Sequence, residues 1–452
     1  MDAIDPTTGR LIRRYAEYGA ADVERALAAA ARQFGEWRRA PFAERADRVR
    51  RAAAILRQNA PEFSRLMTAE MGKPIAAAEA EVEKCAWVCE HFAEHAERYL
   101  APEPIATDAA SSYTRCDPLG VILAVMPWNF PFWQVFRCAA PSLMAGNTVV
   151  LKHASNVPGC ALAIERVFRD AGLPPGAFTS LLVPAAAVEA LVRDERIAAV
   201  SLTGSEAAGV GVGAAAGAAI KKVVLELGGS DAFIVLADAD VATAARQAAV
   251  ARTINNGESC IAAKRFIVEE PVAERFEREF IDHMKALRVG DPAGRETQVG
   301  PLARADLVRD LQDQVDRSVA AGARLECGGR PVEGPGFFYP PTVLTGVAPG
   351  MAAFDEETFG PVGPVTRARD AAHAIALANR SRFGLGASLW TADRARAERL
   401  AAEIEAGAVF VNGIVKSDPR LPFGGIKRSG HGRELAAAGI REFINLKTVW
   451  SA

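Results

Sequence analysis

An excess of either charge, a paired set of cysteines and a basic, apolar leader are all missing from this 452-residue sequence. Lysine and arginine number 53 against 55 aspartates and glutamates, a formal net charge of −2. That balance lacks the basic bias of most nucleic-acid-binding proteins and leaves no acidic tail. The seven cysteines are Cys85, Cys89, Cys116, Cys138, Cys160, Cys260 and Cys327. They are odd in number and scattered, which argues against a disulfide scaffold and for a reducing compartment. The opening "MDAIDPTTGR" carries no signal-peptide pattern. The uncharged stretch Ala207–Ile220 is Ala and Gly rather than Leu and Ile, too short and too weakly apolar to cross a bilayer. The expectation is a cytoplasmic protein with no nucleic-acid or membrane partner.

What is present is the profile of a globular protein, 50% apolar and 24% charged. A chain of this length buries more than one core, so two or three domains are expected. The first hundred residues read as helices. "ADVERALAAAARQFGEWRRA", "FAERADRVRRAAAILRQNA" and "EAEVEKCAWVCEHFAEHAERYL" carry apolar residues at three- and four-residue spacings, and Pro102 and Pro104 end the pattern. From about Gly120 short β-branched runs such as "GVILAVM", "NTVVLK", "IAAVSL" and "KKVVLEL" alternate with helical stretches. That alternation implies parallel βαβ units, a twisted sheet covered on both faces, and ligands at the carboxyl ends of its strands. A second unit follows "ELGGSD", with a boundary near Gly228–Gly229, and "REFINLKTVW" reads as a terminal strand.

Cys260 stands in "NNGESCIA", among small, polar neighbours where a core cysteine would have Leu, Val and Ile. A free thiol ionises at roughly pH 8.5, so a nucleophilic role needs oriented help. Glu226 closes a β-branched run before two glycines. There it is either a general base for water or a capping or surface carboxylate. Asn129, between prolines and aromatics in "MPWNFPF", is either a donor held ready for developing negative charge or part of a rigid turn. Gly209, Gly211 and Gly213 mimic a phosphate loop but fall inside a helix, where close packing is the simpler account. Cys85 and Cys89 share a helix face, with His91 and His95 nearby. No second cysteine pair follows and His91 points away from them, so helix packing is expected and no metal.

"PWNFP", "GNTVVLK", "LTGS", "ELGGSD", "GESC", "EETFGPV" and "PFGGIKRSGHGRE" run in an order and spacing that resembles the NAD(P)-dependent aldehyde dehydrogenase superfamily over nearly the whole chain. The resemblance implies an α/β fold of two Rossmann-like open twisted sheets plus a small β oligomerisation element. It implies a cofactor-binding domain over 1–100 and 119–228, a catalytic domain over 229–430, and an oligomerisation element over 101–118 and 431–452, in a homodimer or homotetramer.

It implies Cys260 as nucleophile toward an aldehyde, Asn129 and the Cys260 N–H as oxyanion donors, and Glu226 as the base that activates water against the thioester. It also implies Trp128, Lys152, Ser155, Thr203, Gly204, Ser205, Glu357 and Phe359 at NAD or NADP. Ser155 stands where many NAD-preferring members carry a glutamate that repels a 2′-phosphate, so NADP is compatible by charge. For substrate, the wording is similar to a bacterial succinate-semialdehyde dehydrogenase branch. That similarity implies Arg137 and Ser417 at the substrate carboxylate and Trp133 in the pocket.

Two departures stand out. Ile254 replaces a second arginine of that group, unless Arg420 or another residue compensates, and Ala262 replaces a redox-sensitive cysteine. Other short or aromatic aldehydes also fit, with Phe132 and Trp133 lining an apolar pocket. A retired enzyme kept as a structural or binding protein would predict damage at Cys260, Glu226 or Asn129, and all three are intact. An acyltransferase would not need Glu226, and a cysteine hydrolase would leave the cofactor motifs unexplained.

Overall fold

Two parallel sheets, each clothed in helices, meet at the segment between Glu226 and Asp231 in a computed structural model that describes residues 1–452. The first sheet has six strands, in the order Gly430–His431, Lys222–Glu226, Ile197–Thr203, Val121–Met126, Thr148–His153, Phe178–Ser180. Five are parallel, and Gly430–His431 closes one edge antiparallel to Glu226 and Leu225. The second sheet has seven strands around Asp231–Val235 and Ala263–Glu269. Its one antiparallel pairing is at the edge strand Arg324–Cys327.

Both sheets are buried on both faces, as parallel sheets must be when helices form the crossovers. Alternation along each strand divides the cores. Ile122, Ala124 and Met126 join the large cluster under the helices of the first hundred residues, while Val121 and Leu123 face the opposite cluster. In the second sheet Ala232 and Ile234 point one way, Phe233 and Val235 the other.

The N-terminal region is helical over Ala20–Trp37, Phe42–Gln58, Ala60–Met71 and Ile75–Tyr99. It also holds a hairpin, Asp2–Asp5 with Arg10–Arg14, that the helical reading omits. The strand Arg10–Arg14 is exposed throughout, so no alternation of apolar and polar residues announces it. The C-terminal strand Ile444–Ser451 pairs along its whole length with Ser111–Pro118, and Glu103–Pro104 adds a third strand. No helix is long and apolar enough to cross a membrane.

The site follows from the order of elements. Pro127, Trp128 and Asn129 come straight after the strand Val121–Met126, Gly204 and Ser205 after Ile197–Thr203, and Leu227 and Gly228 after Lys222–Glu226. These are carboxyl ends of the first sheet. Cys260 comes just before Ala263–Glu269, and Glu357 and Phe359 just before Val362–Ala368, at amino ends of the second. The strand-end rule holds for one wall of the cleft, and the facing wall is built from the opposite ends of another sheet.

Candidate active site

The loop that carries Cys260 is held in a left-handed run. Asn255, Asn256 and Gly257 have φ of 53°, 59° and 80°, a conformation that asparagine tolerates and glycine adopts freely. The Asn256 amide donates to the carbonyls of Gly72 and Pro301, 3.0 Å each, and its oxygen accepts from Gly300 N–H at 2.8 Å. A Cβ at Gly257 would collide with the Gly360 backbone. Glu258 and Ser259 are fully buried, while Cys260 keeps partial exposure. The loop anchors its polar neighbours inward and leaves the sulfur at the edge of a cavity of about 260 Å³.

Asn129 and Gln134 line that cavity beside Cys260. The Asn129 side chain donates to the Glu258 carbonyl at 3.0 Å and accepts from Gln134 Nε2 at 3.1 Å. One amide hydrogen of Asn129 is left uncommitted, in a group that cannot turn over. Burial pushes the Cys260 thiol up to about 12, with the Lys264 ammonium pulling the other way. Lys264, fully buried, donates to the carbonyls of Ser259 and Cys260 at 2.7 and 2.8 Å and lies 3.3 Å from the Glu357 carboxylate.

Glu226 is buried, and neither carboxylate oxygen has a hydrogen-bond partner. Burial raises its proton affinity well above the usual carboxylate range, the neighbouring Glu434 adds to that, and Arg137 and Arg433 oppose it. It is a helix-cap or surface group in no sense.

The opposite wall is Thr203, Gly204 and Ser205, with Trp128, Glu357 and Phe359 across from them. Ser205 caps the helix Glu206–Ala218, its oxygen accepting from Ala208 N–H at 3.3 Å. Glu357 accepts from Gly229 N–H at 3.0 Å, and a Cβ at Gly228 would strike its carboxylate. Phe359 stands edge-on to Trp128, centroids 5.9 Å apart. Of the decoy glycines, Gly209 packs so closely on Leu227 that a Cβ would not fit, while Gly211 faces open space.

Lys152 is buried one residue before its strand ends, and Ser155 lines a neighbouring cavity that shares Arg304 with the main one. Cys85 and Cys89 are wholly inside the core, and His91 stacks on His95 and meets Tyr99.

The substrate side departs from expectation at three places. Arg137 is buried, ion-paired with Glu434, donates to Thr203 Oγ1 at 3.3 Å and packs over the Phe423 ring. A guanidinium so engaged is not free to clamp a carboxylate, because Glu434 already supplies one. Arg420 is likewise occupied, bidentate on Asp418 at 2.9 and 2.7 Å. Neither Phe132 nor Trp133 lines the Cys260 cavity: Phe132 is fully buried between Phe63 and Phe136, and Trp133 is buried beside it. Ser417 is buried too, and its hydroxyl accepts from Lys84 Nζ at 2.7 Å, while that ammonium lies 4.3 Å above the Trp133 ring.

Residues 1–449 match the aldehyde dehydrogenase family. The chain belongs to that family. A Synechocystis protein named as a probable NADP(+) succinate-semialdehyde dehydrogenase is 54% identical over 449 residues, 99% of each chain. The Mycobacterium avium succinate-semialdehyde dehydrogenase, NADP(+) type, is 51% identical, covering 99% of this chain and 96% of its own. The crystal structure of succinic semialdehyde dehydrogenase from Streptococcus pyogenes with NADP+ superposes with a TM-score of 0.97 at 36% identity, covering 99% of both chains.

As a family member, the chain places a thiol, an amide donor and a glycine-lined wall in one cavity, with the buried Glu226 outside the lining, one residue before Leu227 that does line it. Such a set can carry covalent acyl chemistry beside a dinucleotide. Sequence reasoning missed Glu434, Gln134, Lys264 and Arg304. Glu434 stood in the quoted "GHGRE", and its depth was invisible because its partner Arg137 lies 297 positions earlier in the numbering.

Proposed function

We propose that this protein oxidises succinate semialdehyde to succinate with NADP, or with NAD, as hydride acceptor. The observation that carries the reading is that Cys260 and Asn129 open on the same cavity as Thr203, Gly204, Ser205, Glu357 and Phe359. Reaction at the sulfur and hydride transfer then share one space. The residues fit a nicotinamide dinucleotide. The start of helix Glu206–Ala218 offers free N–H groups to a pyrophosphate. Gly228 lets Glu357 approach, Lys152 stands near its strand end for the adenosine, and Ser155 puts no negative charge against a 2′-phosphate. The first sheet is then the cofactor domain and the second the catalytic one.

The Cys260 sulfur bonds to the aldehyde carbon as its proton leaves to water. The free N–H of Asn129 and the Cys260 backbone N–H receive the oxyanion. A bound nicotinamide supplies the hydride acceptor, and loss of hydride leaves a thioester on Cys260. Glu226, made more basic by burial, takes a proton from water, whose oxygen attacks the thioester carbon. The carbon–sulfur bond breaks and the carboxylic acid departs. The succinate reading is supported by relatives at 51–54% identity that carry that name. The exposure of Leu446 and Trp450 on the strand Ile444–Ser451 supports docking of a second copy there, in a homodimer or homotetramer.

The test is a panel of aldehydes with each cofactor, read by reduced-cofactor absorbance. The expected result is highest kcat/KM for succinate semialdehyde. No turnover of any aldehyde would end the reading. Uncharged aldehydes performing as well would favour the alternative, a short-chain or aromatic aldehyde.

A further inference from the structure

Of three cations gathered behind the catalytic turn, two are already neutralised. Arg137 is paired with Glu434 and Arg420 with Asp418. Lys84 takes part in no ion pair. Its hydrogen-bond partner is the neutral hydroxyl of Ser417, at 2.7 Å, and its charge lies over the face of Trp133, 4.3 Å from the centroid. An ammonium has three donors, so two are uncommitted here. The residue is neither surface nor core: it is half-buried on the helix Ile75–Tyr99. A half-desolvated cation without a counter-ion is an unmet requirement for an anion.

Its position is fixed relative to the reacting residues. Glu81, one turn earlier on the same helix, accepts from the backbone N–H groups of Phe132 and Trp133, both at 2.9 Å. That carboxylate staples the helix to the turn that begins with Asn129, and Gln134, next after Trp133, lines the Cys260 cavity. On the other side, the chain running on from Ser417 brings Phe423 over Arg137 and Gly424 against Glu226. Arg137 is close enough to bear electrostatically on Lys84, Cys260 and Glu226 alike. Lys84 and Ser417 thus meet at the Trp133 ring, one residue before Gln134 of the Cys260 cavity.

We propose that Lys84, with the Ser417 hydroxyl beside it, binds the carboxylate at the far end of the substrate and sets the preference for an aldehyde acid. It supplies the cation that Ile254 does not and that Arg137 cannot. The inference rests on the succinate semialdehyde reading above. An oxygen of the substrate carboxylate accepts from Nζ and another from the Ser417 hydroxyl, which is released to donate because the ammonium has donors to spare. An ammonium serves as a point charge here, so a four-carbon chain needs no fixed bidentate angle.

The experiment compares wild type, Lys84→Met and Lys84→Arg with succinate semialdehyde and with butanal, and titrates succinate by tryptophan fluorescence, since Trp133 lies under the ammonium. A charge-assisted bond contributes about 1.5–3 kcal/mol. The expected result is therefore a fall of about tenfold or more in the kcat/KM ratio of succinate semialdehyde to butanal in Lys84→Met, carried by KM. Succinate binding should weaken in parallel, and Lys84→Arg should restore most of both. An unchanged ratio and unchanged succinate binding in Lys84→Met, with wild type still preferring the acid, would overturn the assignment of Lys84 alone. Wild type with no preference for the acid would overturn the substrate reading and this inference with it. Equal loss toward both substrates with arginine giving no rescue would mark Lys84 as structural and overturn its role in binding.

Discussion

Asn129 and Glu258 are joined by a hydrogen bond of 3.0 Å from the amide nitrogen of one to the carbonyl of the other. The bond ties the turn after a first-sheet strand to the loop before a second-sheet strand. It leaves the other amide hydrogen of Asn129 uncommitted in the cavity that Cys260 also lines. Asn129→Ala is expected to lower kcat by about 10²–10³ with little change in KM, the effect of losing one preorganised donor. Steady-state kinetics with circular dichroism as a folding control checks it; a loss confined to KM would contradict the role.

Cys260 should be a slow nucleophile in the free enzyme at neutral pH. Its thiol is pushed up to about 12 by burial, so the thiolate fraction rises tenfold per pH unit through the neutral and mildly alkaline range. Alkylation by iodoacetamide, followed at Cys260 by peptide mass mapping, should keep accelerating from pH 7 to about pH 10 with no plateau. A plateau below pH 8 would mean a thiolate stabilised at rest.

Glu226→Gln should let the acyl-enzyme build up. The side chain keeps its shape and loses its basicity, so hydrolysis is slowed and hydride transfer is not. Rapid mixing should show one equivalent of reduced cofactor formed in a burst. Intact-mass analysis should find the acyl group on the protein. Steady-state turnover equal to wild type would remove Glu226 from the water step.

Glu434→Ala would leave the Arg137 guanidinium buried without its counter-ion. Breaking such a pair costs about 3–5 kcal/mol. The expected outcome is a clear drop in thermal midpoint, and the same drop in Arg137→Ala. A double variant less destabilised than the sum of the two singles would confirm the coupling.

The residues of the proposed catalytic set stood out in the sequence because their motifs are local. "GESC", "ELGGSD" and "PWNFP" each lie at a strand boundary, where β-branched runs give way to glycine or proline. The helices and parallel strands were legible from their two periodicities. The terminal hairpin was not, since Arg10–Arg14 buries nothing. Nor was the fate of Arg137: a helical arginine looks solvated until the partner from residue 434 is brought beside it. Lys84 was hidden for the mirror reason. On a helix it reads as a surface charge, and only the approach of Ser417 and Trp133 makes it half-buried. Local pattern fixes backbone and motif, while the contacts that decide Arg137 and Lys84 join residues some three hundred positions apart.

The cleft borrows its two faces from separate sheets, and the shorter of the two chain links between them is Leu227 to Ser230, the other returning from Val411 to Gly430. Thiol and dinucleotide wall are therefore aligned by docking rather than by a common scaffold. A small rotation about those links would part them while every strand stays intact. Gentle heating or low urea should silence turnover before helical ellipticity changes, so that the first thing this molecule forgets is alignment and not fold.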